Sequence, residues 1–472
     1  MTLGTSTHPS AYLSGSYAPV HDEVDAPSLT VLAGEMPRDV DGTFVRNSSN
    51  PRFAPKGRYH WFDGDGMLHA VRFGDGAASY RNRWIRTRAF LAEEEAGEAL
   101  WTGVTERPDF TNPRGVYKDT ANTDVVFHAG KLLATWWLGG EPYAVDVTTL
   151  ATCGIETFGG SVPTISAHPK VDAVTGEMMI FDYKPLPPYL RYGVVGPDGR
   201  CAHWTTVELP GPRLQHDMAI TARHTILFDM SLMWDPDLLQ RGQTRVRFFR
   251  DRPSRVGILE RHAPGDRVRW FETEPFYMYH TINAWEDGSR IVLLGCRITN
   301  PLAEDPPSPR DGASPTIGFL RLEPALYRWT FDLGTGAVRE EQLDDLLAEF
   351  PRMDNRVLGR PSRYSYHGRM APAVTMRFDG LVKYDTESGA RWSYAYPAGW
   401  SGGEVAFAPR IGSRAEDDGY LVTFVAEEAG GASEVYLFDA RDIVAGPVVR
   451  LAVPQRVPTG YHTWWVPGTG EG

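Results

Sequence analysis

Asp65-Gly-Met-Leu-His-Ala-Val-Arg-Phe-Gly-Asp-Gly76 reads as one β-strand, Met67 to Phe73, set between two tight Asp-Gly turns. The same grammar repeats outward from it. Lys131–Trp137, Met178–Tyr183, His224–Met230, Ile291–Cys296, Tyr420–Val425 and Glu434–Asp439 are apolar runs of strand length. Each is bounded by Gly, Pro, Asp or Asn, the residues that turn or interrupt a chain. The 48 Gly and 36 Pro are spread throughout instead of forming a linker, and aromatic residues make up 12 %. Both features suit strands better than a helical bundle. Helical patterns are few: Ala89–Trp101, and Glu340–Phe350, closed by Pro351. Residues 301–316 are a polar, Pro-rich loop without evident chemistry. No shift of composition marks a boundary, so the expectation is one all-β domain over residues 1–472. That length exceeds an ordinary single core, but radial repetition lets a β-domain keep growing. A strong repeat of fixed period is absent, as it often is among propeller blades.

Charge and cysteine content narrow the function. A net charge of −12 argues against nucleic acid as a partner, since that needs a basic face. The three cysteines, Cys153, Cys201 and Cys296, are scattered and form no disulfide framework, which favours a reducing compartment. The opening residues carry no basic and apolar leader, and no apolar run approaches the ~20 residues of a membrane span. A cytoplasmic protein is expected.

Four of the thirteen histidines stand in strand-like contexts. They are His168 in Ser-Ala-His-Pro-Lys, His216 in Leu-Gln-His-Asp-Met, His280 in Met-Tyr-His-Thr-Ile and His462 in Thr-Gly-Tyr-His-Thr-Trp-Trp. Imidazole is the commonest neutral ligand for a divalent transition metal. The four are separated by 48, 64 and 182 residues, unlike the closely paired ligands of zinc fingers and zincins. Ligands so dispersed converge only where many strands point to one axis, as in a propeller. A lone histidine is more often a packed or surface residue, and spacing does not settle convergence. His8, His21, His203 and His262 lie in polar loops, and His128 and His224 flank strands. His60 and His69 lie beside Asp63-Gly-Asp-Gly66, a turn that lacks the ligand pattern of a calcium loop.

The chain resembles the carotenoid cleavage oxygenase family, which includes lignostilbene dioxygenases and the retinoid isomerase. The resemblance rests on ordered blocks: Tyr12–Val20, Gly42–Arg52, Tyr59-His-Trp-Phe-Asp-Gly-Asp-Gly-Met-Leu-His69, Arg114–Thr123, Glu349-Phe-Pro-Arg352, Glu416–Tyr420 and His462-Thr-Trp-Trp-Val-Pro467. It implies a seven-bladed β-propeller with a helical and loop dome over an axial iron. By this resemblance His168, His216, His280 and His462 are the Fe(2+) ligands, and Glu349 and Glu404 orient imidazoles from behind. Thr123 matches a position that projects toward an open coordination site; a turn threonine bonding locally is the alternative. The third carboxylate of the family falls on Leu138 here, and Glu141 is displaced from it.

The implied chemistry is cleavage of one C=C bond by O2 into two carbonyl products. No Ser/His/Asp or Cys/His signature competes. Lignostilbene-type members share a Lys-Glu pair that helps hold a phenol; those positions are Trp137 and Leu138 here, which suits a lipophilic polyene, a carotenoid or apocarotenoid. A phenylpropenoid-cleaving dioxygenase, a redox-neutral isomerase and a binding propeller without chemistry are the alternatives. A lipophilic substrate implies peripheral membrane contact, and Leu232-Met-Trp-Asp-Pro-Asp-Leu-Leu239 is the candidate patch.

Overall fold

The strand expected over Met67–Phe73 runs from Gly66 to Gly74. It pairs antiparallel with Gly42–Ser49 on one side and Ala77–Trp84 on the other. Asp75 and Gly76 both have positive φ (54° and 72°), as a two-residue turn matched to strand twist requires. The preceding Asp65-Gly66 pair makes no tight turn, contrary to expectation. Ser49 pairs with Gly66 across an excursion of residues 50–65, and the Gly66 N–H donates to the Thr120 carbonyl. A Cβ at Gly66 would stand 2.8 Å from that oxygen, so the glycine serves close approach.

This is a computed structural model that describes residues 11–302, 321–373 and 375–468. Its architecture is a seven-bladed β-propeller. In chain order the blades occupy residues 42–84, 124–155, 170–206, 219–273, 277–342, 348–395 and 400–452. Two terminal strands close the ring: Thr30–Gly34 joins the last blade beside Pro447–Ala452, and Thr463–Pro467 joins the first beside Gly42–Ser49. A small ribbon, Leu232–Trp234 with Val246–Phe248, branches from the fourth blade.

Period-two alternation explains the packing. Leu68 and Ala70 face a cluster shared with the second blade, whereas Val71 and Phe73 face one shared with the seventh. Each blade is therefore buried on both faces, and the strands read as nearly continuous apolar runs.

Three expectations change. The first helix spans Arg88–Ala96, capped by the Thr87 side chain on the Phe90 N–H, and ends at Gly97 in the left-handed conformation (φ 74°) before reaching Trp101. Glu340–Phe350 is not helical. It contains the end of Val338–Gln342 and the start of Ala348–Arg352, outer strand of one blade and inner strand of the next. Its leucines mimic helical spacing, but strand pairing with Ala325–Asp332 and the bond from the Trp329 indole to Glu340 decide the conformation. Leu232, Met233 and Trp234 are buried, so the apolar start of the proposed membrane patch faces the core; Pro236 and Asp237 are exposed, and Leu238 and Leu239 half-buried. Most of the Pro-rich loop, 303–316, lies outside the described residues, as does His8. No described helix is long and apolar enough to cross a membrane.

Candidate metal centre

The innermost strands touch one another round the propeller axis. Each blade contributes one residue at or just before the start of its innermost strand: Thr123, His168, His216, His280, Glu349, Glu404 and, from the closing strand, His462. Four blades give histidines, two give carboxylates and one gives a threonine. All seven are buried.

One ring nitrogen from each of the four histidines lies within 4.8 Å of the others. The Nε2 atoms of His168 and His216 are 3.1 Å apart. Two nitrogens bound at right angles to one cation at about 2.1 Å would stand about 3 Å apart, so the spacing fits a shared metal. The His280 Nε2 is buried without a hydrogen-bond partner, as a nitrogen reserved for a cation would be. The opposite nitrogens of two rings are fixed by carboxylates. His280 Nδ1 lies 2.6 Å from Glu349 Oε2, and His462 Nδ1 lies 2.9 Å from Glu404 Oε1. Such bonds hold the proton on Nδ1 and turn the Nε2 lone pair to the centre.

The other two histidines are held differently. His216 Nδ1 has no hydrogen-bond partner; its ring meets Tyr279 edge-on at 4.8 Å. Leu138 packs in an aromatic-rich core, and Glu141 is engaged by Arg88 (2.6 Å) and the Tyr143 hydroxyl (3.0 Å). His168 sits in the left-handed region (φ 66°), a conformation that costs a β-carbon residue on the order of 1–2 kcal/mol. Its N–H donates to Asp124 Oδ2 at 3.1 Å, and that carboxylate lies 3.8 Å from its Nδ1, beyond hydrogen-bond reach. Burial, with the neighbouring imidazoles, holds His168, His216 and His462 well below the ordinary imidazole pKa. They are therefore neutral and competent as ligands.

Sequence reasoning missed a ring of polar side chains behind the histidines. Asp217, next to His216, accepts from both the N–H and the hydroxyl of Thr281, next to His280, at 2.8 Å each, and pairs with Lys170 at 2.7 Å. Arg352 pairs with Glu404 Oε2 at 2.7 Å, and the same oxygen accepts from the Thr463 N–H and hydroxyl. Burial lifts the Asp124 carboxyl to about 6. The signal was adjacency: alternate residues of a strand point opposite ways, so the neighbour of an axial ligand also lies near the axis. Several other histidines are engaged away from the axis: His69 with Tyr80, His128 with the Gly176 carbonyl and His224 with Glu286.

On the other side of the cluster lies a cavity of about 400 Å³. His216, His280 and His462 form its floor, and Trp61, Phe62, Trp137, Tyr279, Phe350 and Tyr461 are among its walls. Its cover is mostly loop, drawn from Tyr12, residues 60–62, 322–323, 371–373 and 375–377. Thr123 reaches this cavity, but its hydroxyl donates to Asn122 (3.0 Å) and accepts from the Trp137 N–H (3.2 Å). Its hydroxyl proton is therefore already engaged. A metal held by neutral ligands beneath an aromatic chamber can bind a gas molecule beside an apolar ligand.

Comparison with known proteins agrees. Residues 17–467 match the family described as retinal pigment epithelial membrane protein, RPE65. A carotenoid 9,10(9',10')-cleavage dioxygenase from Pisum sativum is 33 % identical over 498 aligned positions, covering 98 % of this chain and 91 % of the relative. An isoeugenol monooxygenase from Pseudomonas nitroreducens is 32 % identical, covering 96 % and 98 %. The solved lignostilbene dioxygenase of Pseudomonas brassicacearum superposes with a TM-score of 0.88 at 29 % identity, covering 98 % of this chain and all of that one. The chain belongs to the RPE65/carotenoid cleavage oxygenase family and is an oxygenase with a four-histidine metal site.

Proposed function

We propose that the protein holds Fe(2+) through His168, His216, His280 and His462 and uses O2 to cleave one C=C bond of a carotenoid or apocarotenoid into two carbonyl products. The observation that carries this reading is the aromatic cavity whose floor is made by three of the four histidines. When bound, iron supplies O2 activation; everything else falls to the chain. Glu349 and Glu404 orient His280 and His462. Trp61, Phe62 and Trp137 position the alkene and exclude water, the two tasks a protein must perform for cofactor chemistry. The Thr123 methyl group narrows access to the centre, and its bonded hydroxyl takes no part in proton transfer. Partners are a lipophilic polyene and a peripheral lipid surface, with Leu238 and Leu239 as part of the contact.

Anaerobic loading with Fe(2+), followed by product chromatography with a panel of polyenes under ¹⁸O2, tests the proposal. Label in both carbonyl products supports a dioxygenase; cleavage without O2 consumption, or no cleavage of any polyene, rejects it.

A second reading, cleavage of a phenylpropenoid or stilbene, draws support from the isoeugenol- and lignostilbene-acting relatives. Against it, Trp137 on the cavity wall and Leu138 behind it offer no charge to a phenol. Both substrate classes belong in the same panel.

A further inference from the structure

Among the polar side chains that line the cavity, His60 has a chemistry the proposed reaction does not use. His60 precedes the short 3-10 turn Trp61–Asp63 and caps it. Its Nδ1 accepts from the Phe62 N–H at 3.1 Å, and its own N–H donates to Asp63 Oδ2 at 2.8 Å. A backbone N–H can only donate, so Nδ1 must carry the lone pair. A neutral imidazole has one proton, which then lies on Nε2. The ring is also fixed in place: it meets Tyr12 edge-on at 5.0 Å and Phe62 at 4.5 Å. Trp61, the next residue, is pinned through its indole to the Thr459 carbonyl and through its own carbonyl to the Tyr461 hydroxyl. Among the described residues nothing accepts from His60 Nε2, and the residue lines the cavity. Burial pushes its pKa down to about 4, so the donor form persists at neutral pH.

The surroundings make this donor distinctive. The Thr123 hydroxyl is already bonded on both sides. The Tyr279 hydroxyl has no partner among the described residues either, but its ring rests on His216 and its neighbour is His280, so it belongs to the metal end. His60 instead sits on the loop cover, against Tyr12 and Phe62. A fixed N–H held between aromatic rings is satisfied only when a ligand brings an acceptor.

We infer that His60 Nε2–H donates a hydrogen bond to an oxygen atom of the ligand, a carbonyl or hydroxyl on an otherwise apolar conjugated molecule, and so sets how far that molecule enters past the histidines. The inference rests on the cavity being the substrate site. It makes His60 a specificity residue, selecting oxygenated ligands over hydrocarbons of the same length. The oxygen can come from an apocarotenoid end group or from a phenol; the chemistry recognised is the same.

The test uses the full chain, stripped of metal so that binding is read without turnover. Quenching of tryptophan fluorescence reports occupancy, because Trp61 and Trp137 line the cavity. Two matched series are titrated: a polyene aldehyde and alcohol against the hydrocarbon of equal chain length, and a 4-hydroxystilbene against stilbene. His60→Asn keeps a side-chain oxygen able to cap the Phe62 N–H, and its amide N–H, on a shorter side chain, falls short of the position of Nε2; His60→Phe removes both cap and donor. Equal melting temperatures for wild type and His60→Asn establish that the variant is folded. The expected result is that wild type binds the oxygenated member about 5- to 10-fold more tightly, the scale of one neutral hydrogen bond, and that His60→Asn abolishes the preference. Retention of the preference in His60→Asn, or no preference in wild type, overturns the inference. Binding confined to the stilbene series, with the preference intact in wild type and lost in His60→Asn, leaves the role of His60 standing and rejects the polyene reading. Absence of binding in both series rejects both.

Discussion

Glu404 spans two residues at once: its Oε1 lies 2.9 Å from His462 Nδ1, while its Oε2 takes the N–H and hydroxyl of Thr463. One carboxylate from the seventh blade thus fixes both the imidazole and the main chain of the closing strand in the first. Orientation of the proposed ligand and closure of the propeller share a bond. Glu404→Gln should lower metal affinity by about 10- to 100-fold, the usual cost of losing a carboxylate behind a ligating histidine. Glu349→Gln should do the same through His280. Competition with a chelator of known affinity measures both.

Arg352 supplies the charge that Glu404 needs in the interior. Arg352→Met leaves that carboxylate buried without a cation, a change that costs about 3–5 kcal/mol in comparable pairs. The variant should lose metal affinity and thermal stability together. Arg352→Lys should recover part of each. Calorimetry of the two variants, with metal analysis, checks this.

Metal content should track the histidines. His280→Ala should drop bound metal from about one per chain toward zero, while His224→Ala, a histidine bonded to Glu286 away from the centre, should leave it unchanged. A ligand bound only by the native state stabilises it, so chelator-stripped wild type should melt at a lower temperature than the loaded protein. Elemental analysis and thermal scans give both numbers.

Acidification should destabilise the metal-free protein. Burial depresses eight imidazoles: His60 to about 4, His367 to about 3, and His69, His128, His168, His203, His216 and His462 below the ordinary value. In the unfolded chain they titrate near about 6.5. As pH falls through that value the unfolded state gains protons that the native state refuses, so native stability falls. Asp63, Asp119 and Asp124, lifted by burial to about 7, about 6 and about 6, act with the opposite sign, as do Asp182, Glu404 and Glu416, which burial also raises, because the native state takes up their protons first. Eight depressed imidazoles against six lifted carboxyls leave a net loss as pH falls through the imidazole range, at roughly 1.4 kcal/mol per pH unit for each unbalanced proton. A melting temperature that rose on acidification would contradict this.

Closure by the amino-terminal strand is testable at Gly34. Its φ is 77°, and a Cβ there would lie 1.9 Å from the Val448 carbonyl oxygen, a backbone atom that cannot turn aside. Gly34→Ala should cost about 1–3 kcal/mol, seen as a lower denaturation midpoint with unchanged metal stoichiometry.

The sequence by itself determined the class of structure and the residues to watch. Short apolar runs between Gly, Pro and Asp dictate strands, since the alternation and the turn chemistry are local. The blocks around His168, His216, His280 and His462, with Glu349, Glu404 and Thr123, name the seven axial positions through family likeness. Tertiary structure alone decided the rest. Leucines at helical spacing in Glu340–Phe350 became strand because the neighbouring strand offered pairing. Leu232 to Trp234 turned inward because a ribbon partner covered them, and Asp65-Gly66 faced the Thr120 carbonyl instead of making a hairpin. Asp124, Lys170, Asp217 and Arg352 gained their places only when seven blades met on one axis. Contacts between residues hundreds of positions apart are set by ring closure, and local propensity carries no information about them. The His60 tautomer is of the same kind: the residue is legible in the sequence, but only the fold shows which nitrogen is occupied and which is left facing the cavity.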